Sequence, residues 1–289
     1  MLILHVPARQ ADRGYNRAMS TPPAHFELHL PVTHAHCNAV DLLAGHCDLS
    51  RQKIKQAMHS GALWLEHGSH VQRLRRAKKP LSAGDTLHFY YDEAIQNQRV
   101  APAELIADEK AYSIWNKPCG MYSQGSRWGD HCTIYRYAEQ HLQPERPAFI
   151  VHRLDRAASR LMILAHSKKM AAAFSSLFVK REIRKQYEAL VAANLSELEL
   201  PHEISKPVEG KPALSRIIRV EPEGGNSRLR LEIETGRKHQ IRRHMAESGW
   251  PIVGDRLYGS DNTDSDLQLK SVYLKFACPV TGLEKEFKL

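Results

Sequence analysis

The spacing of apolar positions changes along the chain. From Asn38, the run NAVDLLAGHCDLSRQKIKQAMHSGALWL puts Val40, Leu42 and Leu43 on one short helix, then Ile54 and Met58 on a second. Ser50 is placed to cap that second helix and Gly61 to end it. ALWLEHG alternates like a strand running into a turn, and LSAGDTLHFYYDEA supplies another strand after a Gly-Asp turn. The pattern predicts a small helix, helix, strand, strand unit over residues 36–92. Residues 1–35 are dotted with proline and weakly periodic, and read as an N-terminal extension. The polar stretch EAIQNQRVAPAE, 93–104, reads as a linker.

Residues 105–289 mix strands and helices. Met170, Phe174, Leu177 and Phe178 recur at helical spacing behind a capping Ser167, and KQYEALVAA reads as the following strand. Leu229, Leu231 and Ile233 alternate along another strand. The chain then turns at Thr235 and Gly236 and enters a helix carrying Ile241 and Met245, which stops near Gly249. No glycine-rich dinucleotide or phosphate loop joins these elements, so a nucleotide cofactor has no support.

Composition narrows the function classes. The chain has 289 residues, 42% of them hydrophobic, enough to bury a core in each unit. Lys plus Arg number 41 against 32 Asp plus Glu, a net charge of +9, which favours a polyanionic partner. The five cysteines are odd in number and contain no C-x-x-C pair, which argues against a disulfide framework and for a reducing compartment. No window resembles a membrane span, and the apolar start MLILHVPAR is interrupted too soon for a secretory signal. The expectation is a cytoplasmic, monomeric protein.

QRLRRAKKP packs Arg73, Arg75, Arg76, Lys78 and Lys79 closely. Cations so close repel one another unless phosphates or carboxylates answer them, so the segment is a candidate surface for a phosphate backbone, with Arg51, Lys53 and Lys55 of the preceding helix able to extend it. A solvated charged loop is the plainer alternative. His34, His36, Cys37, His46 and Cys47 cluster nearby, but their spacing matches no usual zinc site, and no metal is expected.

FIVHRLDRAASRLMILAHS sets one carboxylate, Asp155, between Arg153 and Arg156 and between apolar runs. Nearby guanidinium groups favour an ionised carboxylate, suited to act as base, nucleophile or electrostatic stabiliser, although a structural ion pair would look the same in sequence. His152 could move a proton or be structural. Arg237, in TGRKHQIRRH, follows a strand and a turn and can be aimed into a cleft, or can be surface charge. Tyr187 is either core or a platform for a nucleobase. The loop SQGSRWGDHCTI could border the same cleft, with Trp128 as core or base contact.

VHRLDR, RKQYEALV, TGRKHQIR and PIVGDRLYG, in that order after NKPCG, resemble the RluA-type RNA pseudouridine synthases. Residues 36–92 more loosely resemble an S4-type RNA-binding domain. The resemblance implies an α+β fold: a long mixed, largely antiparallel sheet flanked by helices, with an RNA cleft across it, preceded by the small S4-like α/β domain. It implies Asp155 as the catalytic nucleophile or base, Arg153 as the residue holding the place of the flipped nucleotide, Tyr187 as the aromatic packed on the target base, and Arg237 as the partner of the carboxylate. The partner implied is structured RNA, ribosomal or transfer.

Turning uridine into pseudouridine breaks the N1 glycosidic bond, rotates the trapped uracil and joins C5 to the same sugar carbon, so the chemistry calls for no metal or organic cofactor. A non-catalytic RNA-binding or ribosome-assembly protein would use the same basic surfaces without needing Asp155, and a hydrolase would release free uracil. The chain departs from the family pattern at Ala158-Ser159-Arg160, where threonine, serine and glycine are usual, so a glycine-type backbone is not expected at 160. It also departs at Lys238 and at Lys270-Ser271.

Overall fold

The structure is a computed structural model that describes residues 25–34, 38–259 and 265–289. The chain forms two compact units, Met1–Glu93 and Ala94–Leu289.

The first unit contains β1 (His25–Pro31), α1 (Ala39–Ala44), α2 (Arg51–His59), β2 (Leu63–His67), β3 (His70–Arg73) and β4 (Thr86–Asp92). Asn38 and Ser50 cap the two helices by accepting from the N–H groups of Asp41 and Lys53. The sheet order is β1-β4-β2-β3, with every pairing antiparallel. Leu87, Phe89 and Tyr91 alternate inward from β4 onto Leu43, Ile54, Ala57 and Met58. Strand β1 corrects the reading of all residues up to 35 as an extension. Phe26, Leu28 and Leu30 have the period of a strand, and Phe26 packs on Phe89 and Tyr91 at 5.9 and 5.3 Å. The neighbouring prolines hid it; Pro31 is tolerated because β1 is an edge strand. Residues 1–24, with His36 and Cys37 of the His/Cys cluster, lie outside the described residues.

The remaining elements are α3 (Glu93–Gln96), β5 (Glu104–Asp108), β6 (Tyr112–Lys117), α4 (Ile134–His141), β7 (Phe149–Ile150), β8 (Ser159–Ala165), α5 (Lys168–Val179), β9 (Arg184–Val191), β10 (His202–Ile204), β11 (Ser215–Glu223), β12 (Asn226–Ile233), α6 (Gln240–Glu247), β13 (Leu269–Ala277) and β14 (Glu284–Lys288). The helix α3, with Gln96 buried, opens the polar segment read as a linker. Ten strands form one sheet in the order β10-β11-β12-β9-β13-β8-β6-β5, with β14 beside β13 and β7 beside β8.

The sheet is mixed and largely antiparallel. Its parallel pairing joins β8 to β13 over two residues, Ser159 opposite Lys270 and Arg160 opposite Ser271. Both faces are covered, which is why β8 reads as an apolar run rather than an alternation. Leu161, Ile163 and Ala165 point to the side of α5, with Met170 and Phe174, while Met162 and Leu164 join Ile134, Ala138, Ile241 and Met245 on the other. Ser167 caps α5 through the N–H of Met170, as its position predicts.

Candidate active site

Asp155 sits in the loop between β7 and β8, and that loop is held from two directions. The Ser123 hydroxyl donates to the Leu154 carbonyl at 2.6 Å and accepts from the Leu154 N–H at 3.0 Å. Lys117, fully buried at the end of β6, donates to the carbonyls of Met121 and Ala158 at 2.8 and 2.6 Å, with those of Pro118 and Arg156 at 3.1 and 3.4 Å. Burial pulls its ammonium down to about 8, and the carbonyl cage replaces the water it has lost. The NKPCG segment and the aspartate loop are thereby tied together.

Across the cleft, α6 presents Arg242. Its Nη1 donates to Asp155 Oδ2 at 3.3 Å, while Nε and Nη2 grip Asp255 at 2.8 and 2.7 Å. Asp255 is almost completely buried and also accepts from the N–H groups of Leu257 and Tyr258. Burial pushes its carboxyl up, but the guanidinium and these N–H groups outweigh it and hold it below the usual carboxylate range. The preceding Gly254 has φ +78°, and a Cβ there would fall 2.3 Å from the Asp266 carbonyl oxygen, so the turn requires glycine.

His239, in a left-handed conformation before α6, places Nε2 3.7 Å from Asp155 Oδ1 and Nδ1 2.9 Å from the Tyr258 hydroxyl. Burial, together with Arg242, Lys238 and Arg243, lowers its proton affinity against the pull of Asp155. Tyr187 on β9 is buried in the floor, its hydroxyl pushed up by burial and by the Asp155 charge. Asp155, Tyr187, His239 and Arg242 line a cleft of about 1010 Å³ that also includes Arg153, Arg156, Phe178, Lys185, Arg237 and Lys238.

The expected pairing of Arg237 with Asp155 is corrected. Arg237 is exposed in the turn before α6 and donates to the Pro212 carbonyl at 3.0 Å. Residues 239 and 242 are three apart, so they share the face of the helix start that looks at the carboxylate. Arg153 is exposed on the cleft lining. His152 lines the cleft as well, with Nε2 accepting the Ile163 N–H at 3.0 Å, and burial with the nearby Lys185 charge takes the ring down to about 3. Ser123, Gln124 and Gly125 border the cleft as the loop reading allowed, while Trp128 is outside its lining. Arg160 adopts φ +84°, so the backbone that glycine would favour is present without the glycine.

In the first unit, Arg73 and Arg75 donate to the carbonyls of Gly61 and His59 at the end of α2, and Arg73 also stacks on Trp64 at 4.3 Å. Arg51 pairs with Asp41 at 2.9 Å and Lys53 with Glu93 at 3.2 Å. Arg76, Lys78 and Lys55 are exposed and Lys79 is half-buried. The basic cluster therefore divides into arginines that finish a helix and cations that face outward. Among the described residues, no group of His, Cys, Asp and Glu could hold a metal ion, and no helix is long and apolar enough to cross a membrane.

Residues 111–247 match the family model described as RNA pseudouridylate synthase. Ribosomal large subunit pseudouridine synthase D of Vibrio cholerae is 30% identical over 228 residues, spanning 68% of this chain and 69% of the relative. The chain belongs to the RNA pseudouridine synthases. An uncharacterized RNA pseudouridine synthase of Chloroflexus aurantiacus is 28% identical over 83% of this chain and 81% of its own length. The human RNA pseudouridylate synthase domain containing 1 structure shares the fold, with a TM-score of 0.55 at 20% identity over 65% of this chain and 84% of that one. Membership makes the protein an isomerase that acts on RNA.

For this pseudouridine synthase, sequence reasoning missed Arg242, Asp255, Lys117 and Ser123. Arg242 and Asp255 both stood in quoted motifs, but nothing in their spacing signals that they meet. Lys117 stood in NKPCG and Ser123 in the loop SQGSRWGDHCTI, but neither position signals that it holds the aspartate loop.

Proposed function

We propose that this protein is an RluA-type enzyme that converts specific uridines of structured RNA to pseudouridine, with Asp155 as nucleophile or base. The observation that carries the reading is the placement of Asp155 at the cleft wall. Arg242 and His239 face its two oxygens, and Tyr187 lines the same cleft. A uridine extruded from its stack would lay its base against Tyr187 and bring its sugar to the carboxylate, with Arg153 on the rim taking the vacated place. Arg242 would keep the carboxylate aimed while charge shifts during bond exchange. The reaction needs no cofactor, and a closed cleft matters because an escaping uracil would turn isomerisation into hydrolysis.

The first unit, in which β1 joins residues 36–92, would serve as an S4-like RNA-binding domain ahead of the catalytic domain, 105–289, in a cytoplasmic enzyme. Arg76, Lys78 and Lys55 are the cations turned outward for phosphates, with the half-buried Lys79 beside them. Between ribosomal and transfer RNA, large-subunit ribosomal RNA is the first substrate to test, because several relatives carry that substrate in their names.

The test is a single-turnover reaction on uridine-labelled RNA from cells lacking the gene, followed by digestion and nucleoside separation. Asp155→Asn is expected to stay folded, bind RNA and form no pseudouridine. Turnover at the unmutated rate would remove Asp155 from the mechanism. No product from the unmutated protein would point to a non-catalytic binder, and free uracil to a hydrolase.

A further inference from the structure

At the end of the cleft beside α5, each arginine has its acid. Arg184 lies 2.6 Å from Glu232, Arg216 2.6 Å from Glu203, and Arg181 3.6 Å from Glu234. Lys185, which lines the same adjoining pocket of about 230 Å³, has none. Among the described residues no carboxylate forms an ion pair with it, and its Nζ lies 5.5 Å from the centre of the Phe178 ring. Burial lowers its proton affinity, so the fold carries a cation whose lost hydration no internal charge replaces. Such an uncompensated group is expected where a ligand supplies the missing charge.

Strand geometry says which part of the ligand it meets. Lys185 and Tyr187 are two residues apart on β9, so both point to one face of the sheet, about 7 Å apart along the strand. Both line the main cleft, in the company of Ile150, Phe178 and Ile233. An RNA phosphate belongs on the exposed rim, where Arg237 and Lys238 lie; a flat, partly apolar base fits beside Tyr187.

We propose that Lys185 binds the displaced uracil, its ammonium meeting a ring carbonyl oxygen that carries negative charge while the glycosidic bond is open. The inference rests on the isomerase reading above. When N1–C1′ breaks, the electron pair leaves with the ring and spreads over O2 and O4. The new C5–C1′ bond takes an electron pair from the ring, after which C5 loses the proton that balances the one N1 gains. Lys185 keeps its own proton throughout. Its charge holds the loose ring in the cleft and lowers the barrier to bond breaking, as a fixed donor does for any developing oxyanion.

The experiment uses the full chain with Lys185→Met and Lys185→Arg, on the same labelled RNA. Lys185→Met removes the charge and keeps most of the length, so it is expected to melt no lower than the unmutated protein. It should bind RNA within about twofold and form pseudouridine about 100-fold more slowly. Lys185→Arg should restore part of the rate and remove the fall in rate that deprotonation of Lys185 imposes on the unmutated enzyme at alkaline pH. An unchanged rate for folded Lys185→Met would overturn the proposal. So would weaker RNA affinity with a shallower salt dependence and normal turnover of bound RNA, the signature of a phosphate contact. An unmutated protein that forms no pseudouridine would instead sink the isomerase reading, and this inference with it.

Discussion

Arg242 grips Asp255 with two nitrogens and reaches Asp155 with the third, so one guanidinium ties the aspartate at the cleft to a buried aspartate behind it. A lysine has the charge but not the fork, and cannot hold both carboxylates in one plane. Arg242→Lys is therefore expected to slow single-turnover pseudouridine formation about 100-fold through misplacement of Asp155. Asp255→Asn should cost about 3–5 kcal/mol of stability, because it leaves a buried guanidinium with only the more distant Asp155 as counter-charge. Urea denaturation and the labelled-RNA assay read the two effects, and normal values for both variants would show that the bridge is dispensable.

The outward cations of the first unit are separable from the arginines that finish α2. Arg76, Lys78 and Lys79 changed together to alanine should weaken RNA binding and reduce the slope of log affinity against log salt by roughly one unit per lost phosphate contact. Arg75→Ala, which removes a bond to the His59 carbonyl, should act mainly on stability. Filter binding across a salt series checks this, and an unchanged slope for the triple variant would take the segment off the RNA face.

His152 is expected to make the fold acid-sensitive. Its folded value of about 3 lies below the ordinary 6.5, so between these the unfolded chain holds a proton that the native chain does not. Unfolding then takes up a proton, and stability falls as pH drops below about 6.5, by roughly 1 kcal/mol per pH unit toward pH 3. His152→Gln can still accept the Ile163 N–H and should flatten that part of the curve. Equal acid slopes for the two proteins would place the titrating group elsewhere.

Arg160 occupies a backbone conformation that costs a residue with a Cβ about 1–3 kcal/mol. Arg160→Gly should exceed Arg160→Ala in stability by about 1 kcal/mol, a comparison that cancels the lost side-chain contacts. Thermal unfolding of the pair decides it; equal midpoints would mean that the neighbouring strands relax without strain.

Features set by near neighbours in the chain were legible. Ser50 and Ser167 announced their helices by side-chain position, and Leu229, Leu231 and Ile233 announced β12 by alternation. Arg237 misled because the turn before α6 places it outward, while Arg242, inside the helix, inherits the facing position. The neighbours of β8 were not legible at all: β6 and β13 are brought together by pairing across long stretches of chain, and nothing in SRLMILA names its partners. Lys117 stayed hidden for a related reason, since the carbonyls around it belong to backbone, which every residue carries.

The two-residue parallel pairing of β8 with β13 is a seam in the sheet. Asp155 belongs to the chain entering one side of it, and Tyr187 and Arg242 belong to the other. A slip of one residue along this seam moves a strand by about 3.3 Å and turns its side chains to the opposite face. That step is as long as the contact between Asp155 and Arg242. A molecule joined in the wrong register would thus part Asp155 from Arg242 and leave the carboxylate without its guanidinium.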